Sequence, residues 1–389
     1  MAVYLDASAT SPPAAAVLEA MAAVQAEAWG NPSSLHRQGQ AASEALERAR
    51  WQSAAALGCE PDEVVFTSGG TEAIHLALLG TAARGAPGRL LISSVEHPAT
   101  EAAARQLECR GWTVQRVPVD ACGLLDLDAL DEALEPPTKL VSLIWGQSEV
   151  GSLQDLELIG RRCREAGVPL HVDAVQVVGH LPIDFAQLPV DLLSLAGHKI
   201  QGPRGIGALL VRSGHALDAL QGGGGQEGGR RAGTEPVALA AGLALALELG
   251  VSRLAGSGGL DPLARLRDRL WQQLHPLAGL TLTGPDPLQQ PQRRLPHHLS
   301  LRVADPEGRP LPGRALVRAL DRLGYAVSSG SACSSSGTAA SPVLRALGLS
   351  EAEAGSGLRI SLGPWLAPAD VEGFPAALEQ ARQELAATP

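Results

Sequence analysis

Apolar residues follow two different spacings along the chain. From residue 14, Val17, Met21 and Val24 recur at helical spacing, and a second helical run extends from about Gln40 to Leu57. Beyond it, segments of helical periodicity separate short apolar runs, which are EVVFTSG, RLLISS, TVQRVPV, KLVSLIWG, PLHVDAV, DLLSLAG and GIGALLVR. This alternation predicts an α/β domain whose largely parallel sheet is buried on both faces. We expect its ligand to bind at the carboxyl ends of the strands.

Two Gly-rich segments, at residues 221–234 and near residue 257, interrupt this pattern. The chain beyond them alternates again between helix and strand, in RLRDRLWQQL, HHLSLRV, RALVRALDRLG, VLRALG and LRISLG, which predicts a smaller α+β domain. The most apolar window of the chain begins at Val237 and continues for about a dozen residues before a Glu interrupts it. That length is too short to cross a bilayer, so we expect a buried core helix.

Composition restricts the class of partner. A chain of 389 residues with 45% hydrophobic and 19% charged residues is typical of a soluble globular protein of two domains. Its net charge of -10 and its 3% aromatic content argue against nucleic acid as a partner. Because the N-terminus has no signal-peptide pattern, we expect a cytoplasmic protein. Neither the five cysteines, which form no CxxC pair, nor the adjacent His297 and His298 have zinc-site spacing, so we expect no metal.

Two strand ends carry residues suited to holding a cofactor. Lys199, one of two lysines, follows an apolar strand in SLAGHKIQGPRG; desolvation would make it a Schiff-base amine, although a solvent-facing loop lysine fits the local pattern equally well. Asp173 ends the strand of LHVDAVQ, where its carboxylate either pairs with a protonated pyridine nitrogen or caps the next turn. Gln176 is close enough along the chain to reach the same ligand.

Other strand ends permit both a binding role and a purely structural one. Gly70 and Thr71 join a strand to a helix in FTSGGTEAIHLAL, a turn that either binds phosphate or simply caps the helix. His97 opens a helix in SSVEHPAT, where a histidine is more often a cap or a core residue than a catalyst. Arg359 in LRISLG can clamp a carboxylate, but the local pattern favours an ordinary surface arginine.

Cys333 lies in SSGSACSSSG, a loop that follows the strand-like YAVSS. A structural thiol is normally buried among large apolar side chains, whereas the neighbours of Cys333 are Ser, Ala and Gly. A free thiol has a pKa of about 8.5, so a fraction of the molecules carries Cys333 as a nucleophilic thiolate at neutral pH. The pattern therefore indicates an exposed, reactive cysteine on a loop that can move.

Ordered segments along nearly the whole chain resemble the cysteine desulfurases of the pyridoxal-phosphate fold-type I (class V aminotransferase) superfamily, in particular the group that serves iron–sulfur and nitrogenase cluster assembly. The segments are YLDASATSPP, GNPSSLHRQGQ, FTSGGTEA, EHPA, EVGSLQDL, HVDAVQ, GHKIQGPRGIGALLVR, RAGTEPV, SSGSACSSS, VLRALGL and LRISLG. The resemblance implies a large domain at residues 14–257 that binds pyridoxal phosphate on a mainly parallel seven-stranded sheet. It also implies a small α+β domain, formed by residues 1–13 and 258–389, that carries the cysteine loop.

The resemblance implies a role for each residue around the cofactor ring. Lys199 would hold pyridoxal 5'-phosphate as a Schiff base, and Asp173 would keep the pyridine nitrogen protonated. Gln176 would bond the phenolic oxygen, and His97 would stack on the ring and move protons. The residues implied for the phosphate are Gly70, Thr71, His198 and, from the partner subunit of a homodimer, Thr234.

The function that the resemblance implies is desulfuration of L-cysteine to L-alanine. Arg359 would bind the substrate carboxylate, and Cys333 would attack the sulfur and carry it as a persulfide to an acceptor such as an iron–sulfur scaffold protein. A C–S lyase or selenocysteine lyase of the same fold would share the cofactor site, but a lyase that releases pyruvate needs no protein persulfide. A non-catalytic sulfur-relay or scaffold protein is the alternative from another class.

Two positions depart from the family's pattern. Ser148 in GQSEVG stands where the family has an Asn that contacts cofactor and substrate. Ala196 stands where a Ser contacts the phosphate, so one hydrogen bond to a charged group, worth about 1.5–3 kcal/mol, is missing. Lys199, Asp173 and Cys333 are kept, so these departures bear on substrate preference and cofactor affinity more than on the reaction class.

Overall fold

Strands and helices alternate along the chain, as the hydrophobic pattern predicts. The structure is a computed structural model and describes residues 2–330 and 340–387; Cys333 lies outside the described residues. The strands are β1 (Val3–Tyr4), β2 (Val64–Thr67), β3 (Arg89–Ser93), β4 (Thr113–Val117), β5 (Thr138–Ile144), β6 (Leu170–Asp173), β7 (Leu192–Ala196), β8 (Gly207–Val211), β9 (Leu280–Leu282), β10 (His298–Val303), β11 (Tyr325–Ala326) and β12 (Gly357–Ser361). The helices are α1 (Ala15–Glu27), α2 (Arg37–Leu57), α3 (Gly70–His75), α4 (Pro98–Glu108), α5 (Leu127–Leu134), α6 (Leu156–Glu165), α7 (Val237–Ala255), α8 (Leu263–Leu274), α9 (Gly313–Arg322), α10 (Pro342–Ala346), α11 (Glu351–Gly355), α12 (Pro368–Glu372) and α13 (Phe374–Ala386).

The main sheet has the order β2-β8-β7-β6-β5-β3-β4 among the described residues. The neighbours from β7 to β4 are parallel, and β8 runs antiparallel to both β2 and β7. Every residue of β6, β7 and β8 is buried, which is why these strands are continuous apolar runs in the sequence. The prediction of a mainly parallel seven-stranded sheet is confirmed.

Helix α7 is longer than its apolar window. The apolar window is interrupted by the Glu at position 248, but α7 continues to Ala255, because Glu interrupts the apolar pattern without breaking a helix. With 19 residues and a mean hydropathy of 1.7, α7 has the length and composition of a membrane-spanning helix, so the prediction that it is too short was wrong. Half of its apolar window is buried inside the protein, where α7 packs against α1 and α2.

The chain beyond α7 forms a smaller sheet, β12-β10-β9, and helices cover this sheet. Its core joins Leu5 near the N-terminus to buried side chains from Leu263 to Ala381. The N-terminal strand β1 pairs in parallel with β11, so the chain begins in the same part of the fold in which it ends. The domain limits at residues 13 and 257 stay a prediction.

Candidate active site

A cavity of about 570 Å³ lies at the carboxyl ends of the main sheet strands. The residues predicted for the site that line it are Gly70, Thr71, His97, Ser148, Asp173, Gln176, His198, Lys199 and Arg359. Ala196, the second departure from the family's pattern, also lines it. Thr234 does not; it is exposed on the loop before α7. The position of Cys333 lies outside the described residues.

Lys199 ends the short 3₁₀ turn that follows β7. Its Nζ donates hydrogen bonds to the carbonyl oxygens of Ser8, at 2.5 Å, and Ala9, at 2.8 Å. The amine therefore points into the cavity and toward the N-terminal segment, which removes the interpretation as a solvent-facing loop lysine. His198, beside it, has Nδ1 3.2 Å from Thr10 Oγ1, and burial, together with the charges of Lys199 and Arg204, lowers its pKa to about 4.

Asp173 ends β6 and is 3% exposed. Its Oδ1 accepts a hydrogen bond of 3.0 Å from the Val175 N–H, so it also has the turn-capping role that the sequence permits. Burial raises the pKa of the carboxyl, and the nearby His97 and Lys199 oppose this shift. A buried carboxylate in this position would be stabilised by a cationic group bound in the cavity.

His97 caps α4 and lines the cavity at once. Its Nδ1 accepts a hydrogen bond of 3.1 Å from the Ala99 N–H. Burial lowers the pKa of the ring, which keeps the imidazole neutral, and the accepting Nδ1 leaves the proton on Nε2. On the opposite side, Gln176 Nε2 donates to the Ser8 carbonyl at 2.9 Å, the same oxygen that Lys199 contacts.

Arg359, on β12, is 3% exposed, so the surface position that the local pattern favours was wrong. Its Nη2 lies 2.9 Å from Asp6 Oδ1, and its Nη1 donates to the Ser148 carbonyl at 3.0 Å. Its Nε is buried without a hydrogen-bond partner among the described residues. A buried guanidinium with an unused N–H at a cavity wall is suited to binding a substrate carboxylate.

Two cavity carboxyls were missed by the sequence analysis. Glu96 is fully buried; its Oε1 accepts from Ser93 Oγ at 2.5 Å and from the Ile144 N–H at 2.9 Å, and desolvation raises its pKa to about 8. Glu149 accepts from Ser341 Oγ at 2.5 Å, and burial raises its pKa to about 7. Both acids stand beside predicted residues, in EHPA and GQSEVG, and that adjacency was the available signal.

The cavity residues form a donor set for an organic cofactor. Lys199 offers a primary amine for an aldehyde, and Asp173 offers a buried carboxylate for a protonated ring nitrogen. Gly70 begins α3 so close to the opposite wall that a Cβ there would lie 2.9 Å from Val175 Cγ2, and Thr71 follows it. The described residues contain no group of three His, Cys, Asp or Glu placed to hold a metal ion.

Comparisons with known proteins identify the family. The family model for aminotransferase class-V matches residues 3–374. A cysteine desulfurase IscS of Methanosarcina thermophila is 39% identical over 373 residues, covering 95% of this chain and 89% of the relative. A cysteine desulfurase of Cereibacter sphaeroides is 40% identical over 373 residues, covering 95% and 93%.

Solved structures give the same result. A NifS-like protein superposes with a TM-score of 0.88 at 32% identity, covering 99% of this chain and 100% of that one. SspA in complex with cysteine superposes with a TM-score of 0.80 at 33% identity, covering 94% and 99%. The chain belongs to the aminotransferase class-V family and, within it, to the cysteine desulfurases.

Proposed function

We propose that this protein is a pyridoxal-phosphate-dependent cysteine desulfurase. It takes sulfur from L-cysteine, releases L-alanine and passes the sulfur from Cys333 to an acceptor protein such as an iron–sulfur scaffold. The observation that carries the proposal is that the Lys199 amine, the Asp173 carboxylate and the Arg359 guanidinium line one cavity at the strand ends. These groups match an aldehyde, a ring nitrogen and a substrate carboxylate.

In the proposed site, each residue holds one part of the cofactor. Pyridoxal phosphate, when bound, supplies an electron sink for the substrate's α-carbon. Lys199 would bind its aldehyde carbon, Asp173 would keep a proton on its ring nitrogen, and Gln176 would bond its phenolic oxygen. His97 would stack on the ring. The residues proposed for the phosphate are Gly70, Thr71, His198 and the partner subunit's Thr234.

The substrate steps use side chains from the end of the main sheet, such as Lys199, and from the small sheet, such as Arg359. Arg359 would bind the carboxylate of L-cysteine, with Ser148 beside it, and the free amine of Lys199 would remove the α-proton. The Cys333 thiolate attacks the substrate sulfur, so that an S–S bond forms as the Cβ–S bond breaks. The carbon skeleton takes up protons and leaves as L-alanine; Lys199 returns the proton that it removed, and His97 carries a proton only after it has gained one.

The exposed apolar side chains support a homodimer. Trp29 and Leu35, between α1 and α2, are 65% and 93% exposed, and Trp51 on α2 is 62% exposed. Large exposed apolar side chains along α2 and the segment before it provide apolar surface for a protein interface. In such a dimer, the exposed Thr234 contacts the partner's phosphate. We also propose a cytoplasmic location, with neither a membrane nor a nucleic acid as a partner.

Product analysis with L-cysteine and added pyridoxal phosphate tests the proposal. We expect equal amounts of L-alanine and transferable sulfur from the wild type, and neither from Lys199→Ala or Cys333→Ala. The matched controls are Lys139→Ala, which removes the other lysine, and Cys109→Ala, which removes an exposed free thiol; both should keep the activity. Pyruvate in place of alanine, with undiminished turnover in Cys333→Ala, would establish a C–S lyase instead.

A non-catalytic protein would behave differently from both the cysteine desulfurase and the C–S lyase. A sulfur relay or scaffold would show no visible absorbance band with pyridoxal phosphate, and Lys199→Ala would leave its spectrum unchanged. The desulfurase requires the band in the wild type and its loss in that variant.

A further inference from the structure

His298 is the first residue of β10 and contacts Ser148, which lines the cavity. In the antiparallel pairing of β10 with β12, His298 lies opposite Ser361, and Ser300 lies opposite Arg359. Residues two apart on a strand point to the same face, so His298 and Arg359 are diagonal neighbours on one face of the small sheet. The two side chains therefore approach the large sheet from the same direction.

Both side chains bind the same oxygen atom. His298 Nε2 lies 3.0 Å from the Ser148 carbonyl oxygen, and Arg359 Nη1 donates to that oxygen, also at 3.0 Å. A carbonyl oxygen only accepts hydrogen bonds, so the His298 proton is on Nε2. Ser148 belongs to the loop after β5 of the main sheet, whereas His298 and Arg359 belong to β10 and β12 of the small sheet. The shared oxygen therefore connects the two sheets at the cavity.

The imidazole has little freedom to leave this position. His298 is fully buried, and burial together with the charges of Arg294 and Arg359 holds its pKa well below the ordinary value, which keeps the ring neutral. A Cβ built on Gly151 would lie 2.5 Å from His298 Nδ1, so the ring fits closely beneath the turn that follows Ser148. The ring edge opposite the bond, at Nδ1, has no hydrogen-bond partner among the described residues.

We infer that His298 is a positioning residue for the substrate carboxylate. Its Nε2–H holds the Ser148 carbonyl where Arg359 Nη1 also binds it, and this contact fixes the direction in which the guanidinium presents its unused N–H groups, Nε–H among them, to the cavity. The role rests on the proposed function, because Arg359 is the group proposed to bind the carboxylate of L-cysteine. Without the imidazole N–H, the Ser148 carbonyl loses a hydrogen bond that keeps it in position to bind Arg359. The carboxylate of L-cysteine is then bound less tightly.

Two substitutions separate positioning from packing. His298→Met fills a similar volume without a donor, whereas His298→Gln carries an amide N–H that reaches about as far as Nε2. We expect His298→Met to raise KM for L-cysteine about tenfold with kcat changed less than about threefold, and His298→Gln to restore KM to within about threefold of the wild type. Cysteamine, which lacks the carboxylate, serves as a competing ligand, and its inhibition constant should be the same in all three proteins.

The outcomes distinguish this inference from the proposed function. If the wild type forms alanine from L-cysteine and His298→Met has the same KM, the positioning role is wrong while the function stands. An equal loss of cysteamine and L-cysteine binding would also overturn it, because that result indicates a deformed cavity. A wild type that forms no alanine would overturn both.

A second measurement remains informative if neither variant folds. In wild-type protein with ¹⁵N-labelled histidines, the NMR spectrum of the ring nitrogens reports the tautomer directly. We expect His298 to carry its proton on Nε2 and to remain neutral at pH 7. A proton on Nδ1 would remove the hydrogen bond to Ser148 and overturn the inference.

Discussion

Glu227 is the buried anion that attaches the Gly-rich segment 221–234 to the main sheet. Its side chain is 2% exposed, its Oε1 and Oε2 accept from Arg50 Nη2 and Nη1 at 2.9 and 2.8 Å, and Oε2 also accepts from the Phe66 N–H at 3.0 Å. Phe66 is in β2, the edge strand beside β8, so Glu227 occupies a donor that has no strand partner on that side. We therefore expect Glu227→Gln to loosen both the segment and the sheet edge.

The size of the effect follows from what remains after the charge is removed. Leaving one member of a buried ion pair without its partner typically costs about 3–5 kcal/mol, because the remaining charge stays desolvated. Arg50 keeps its hydrogen bond to the Val64 carbonyl, at 2.8 Å, and its position 4.9 Å from the Phe66 ring centre. The amide oxygen of Gln still accepts from the Phe66 N–H. We expect a loss near the lower limit, about 3 kcal/mol in the local free energy of opening.

Hydrogen exchange measured by mass spectrometry detects this loss where it occurs. A chain of 389 residues need not unfold in one step, so a single melting temperature would not isolate this loss. About 3 kcal/mol corresponds to exchange roughly 100-fold faster in peptides that contain Phe66 and segment 221–234. The matched control is Asp218→Asn, whose ion pair with Arg84 is half exposed on both sides and should change exchange less than about threefold.

Two results would refute this reasoning. Exchange at Phe66 that differs less than about threefold between Glu227→Gln and the wild type would mean that the ion pair does not hold the sheet edge. The double variant Arg50→Met with Glu227→Gln supplies the second criterion: it should cost less than the sum of the two single variants, because the unpaired charge is then absent. Strict additivity would show that the two side chains act independently.

Three further predictions concern other parts of the fold. Burial raises the pKa of Glu96 from 4.5 to about 8, so ionisation of this carboxyl opposes folding, and the wild type should lose stability as the pH rises through that interval. Glu96→Gln should lose much less stability over the same interval, as measured by urea midpoints. Parallel plots of urea midpoint against pH for the two proteins would contradict this. Gly151 has a φ of +79°, and a Cβ added there would lie 2.5 Å from His298 Nδ1. Gly151→Ala should therefore lower Tm several degrees more than Gly167→Ala, where φ is +68° but the space is open. Equal shifts in Tm would contradict the steric argument. Iodoacetamide at neutral pH should label the exposed Cys109 well before Cys163, whose thiol is buried with its pKa raised to about 12, and peptide mapping with the reverse order would contradict the burial.

Most of the sheet was predictable because its strands, apart from the edge strand β4, are largely buried on both faces and therefore leave apolar runs. Helix limits were less predictable, since they depend on single contacts. Helix α2 begins at Arg37, before the predicted start at Gln40, because the His36 side chain accepts from the Gly39 N–H. The apolar pattern does not report such a cap, just as it does not report that α7 continues past Glu248.

Long-range pairing explains why the burial of Arg359 was not predictable. Its partner Asp6 is 353 residues away in sequence, and the two meet because β1 pairs with β11 and the segment after β1 reaches β12. A pattern read over a window of a few residues contains none of this. The same holds for His298, whose contact with Ser148 depends on how the small sheet lies against the loop after β5.

The structural and chemical interpretations of His97 and Asp173 are not alternatives in this fold. The hydrogen bond from the Ala99 N–H to His97 Nδ1 caps α4, and the same bond leaves the ring proton on Nε2. For Asp173, the bond from the Val175 N–H holds one carboxylate oxygen at the end of β6 while the side chain lines the cavity. In both cases a capping contact orients the group that the proposed chemistry uses. Capping and chemistry are therefore not competing explanations for a polar residue at the carboxyl end of a buried strand, because the strand end that needs a cap is also the edge where the ligand binds.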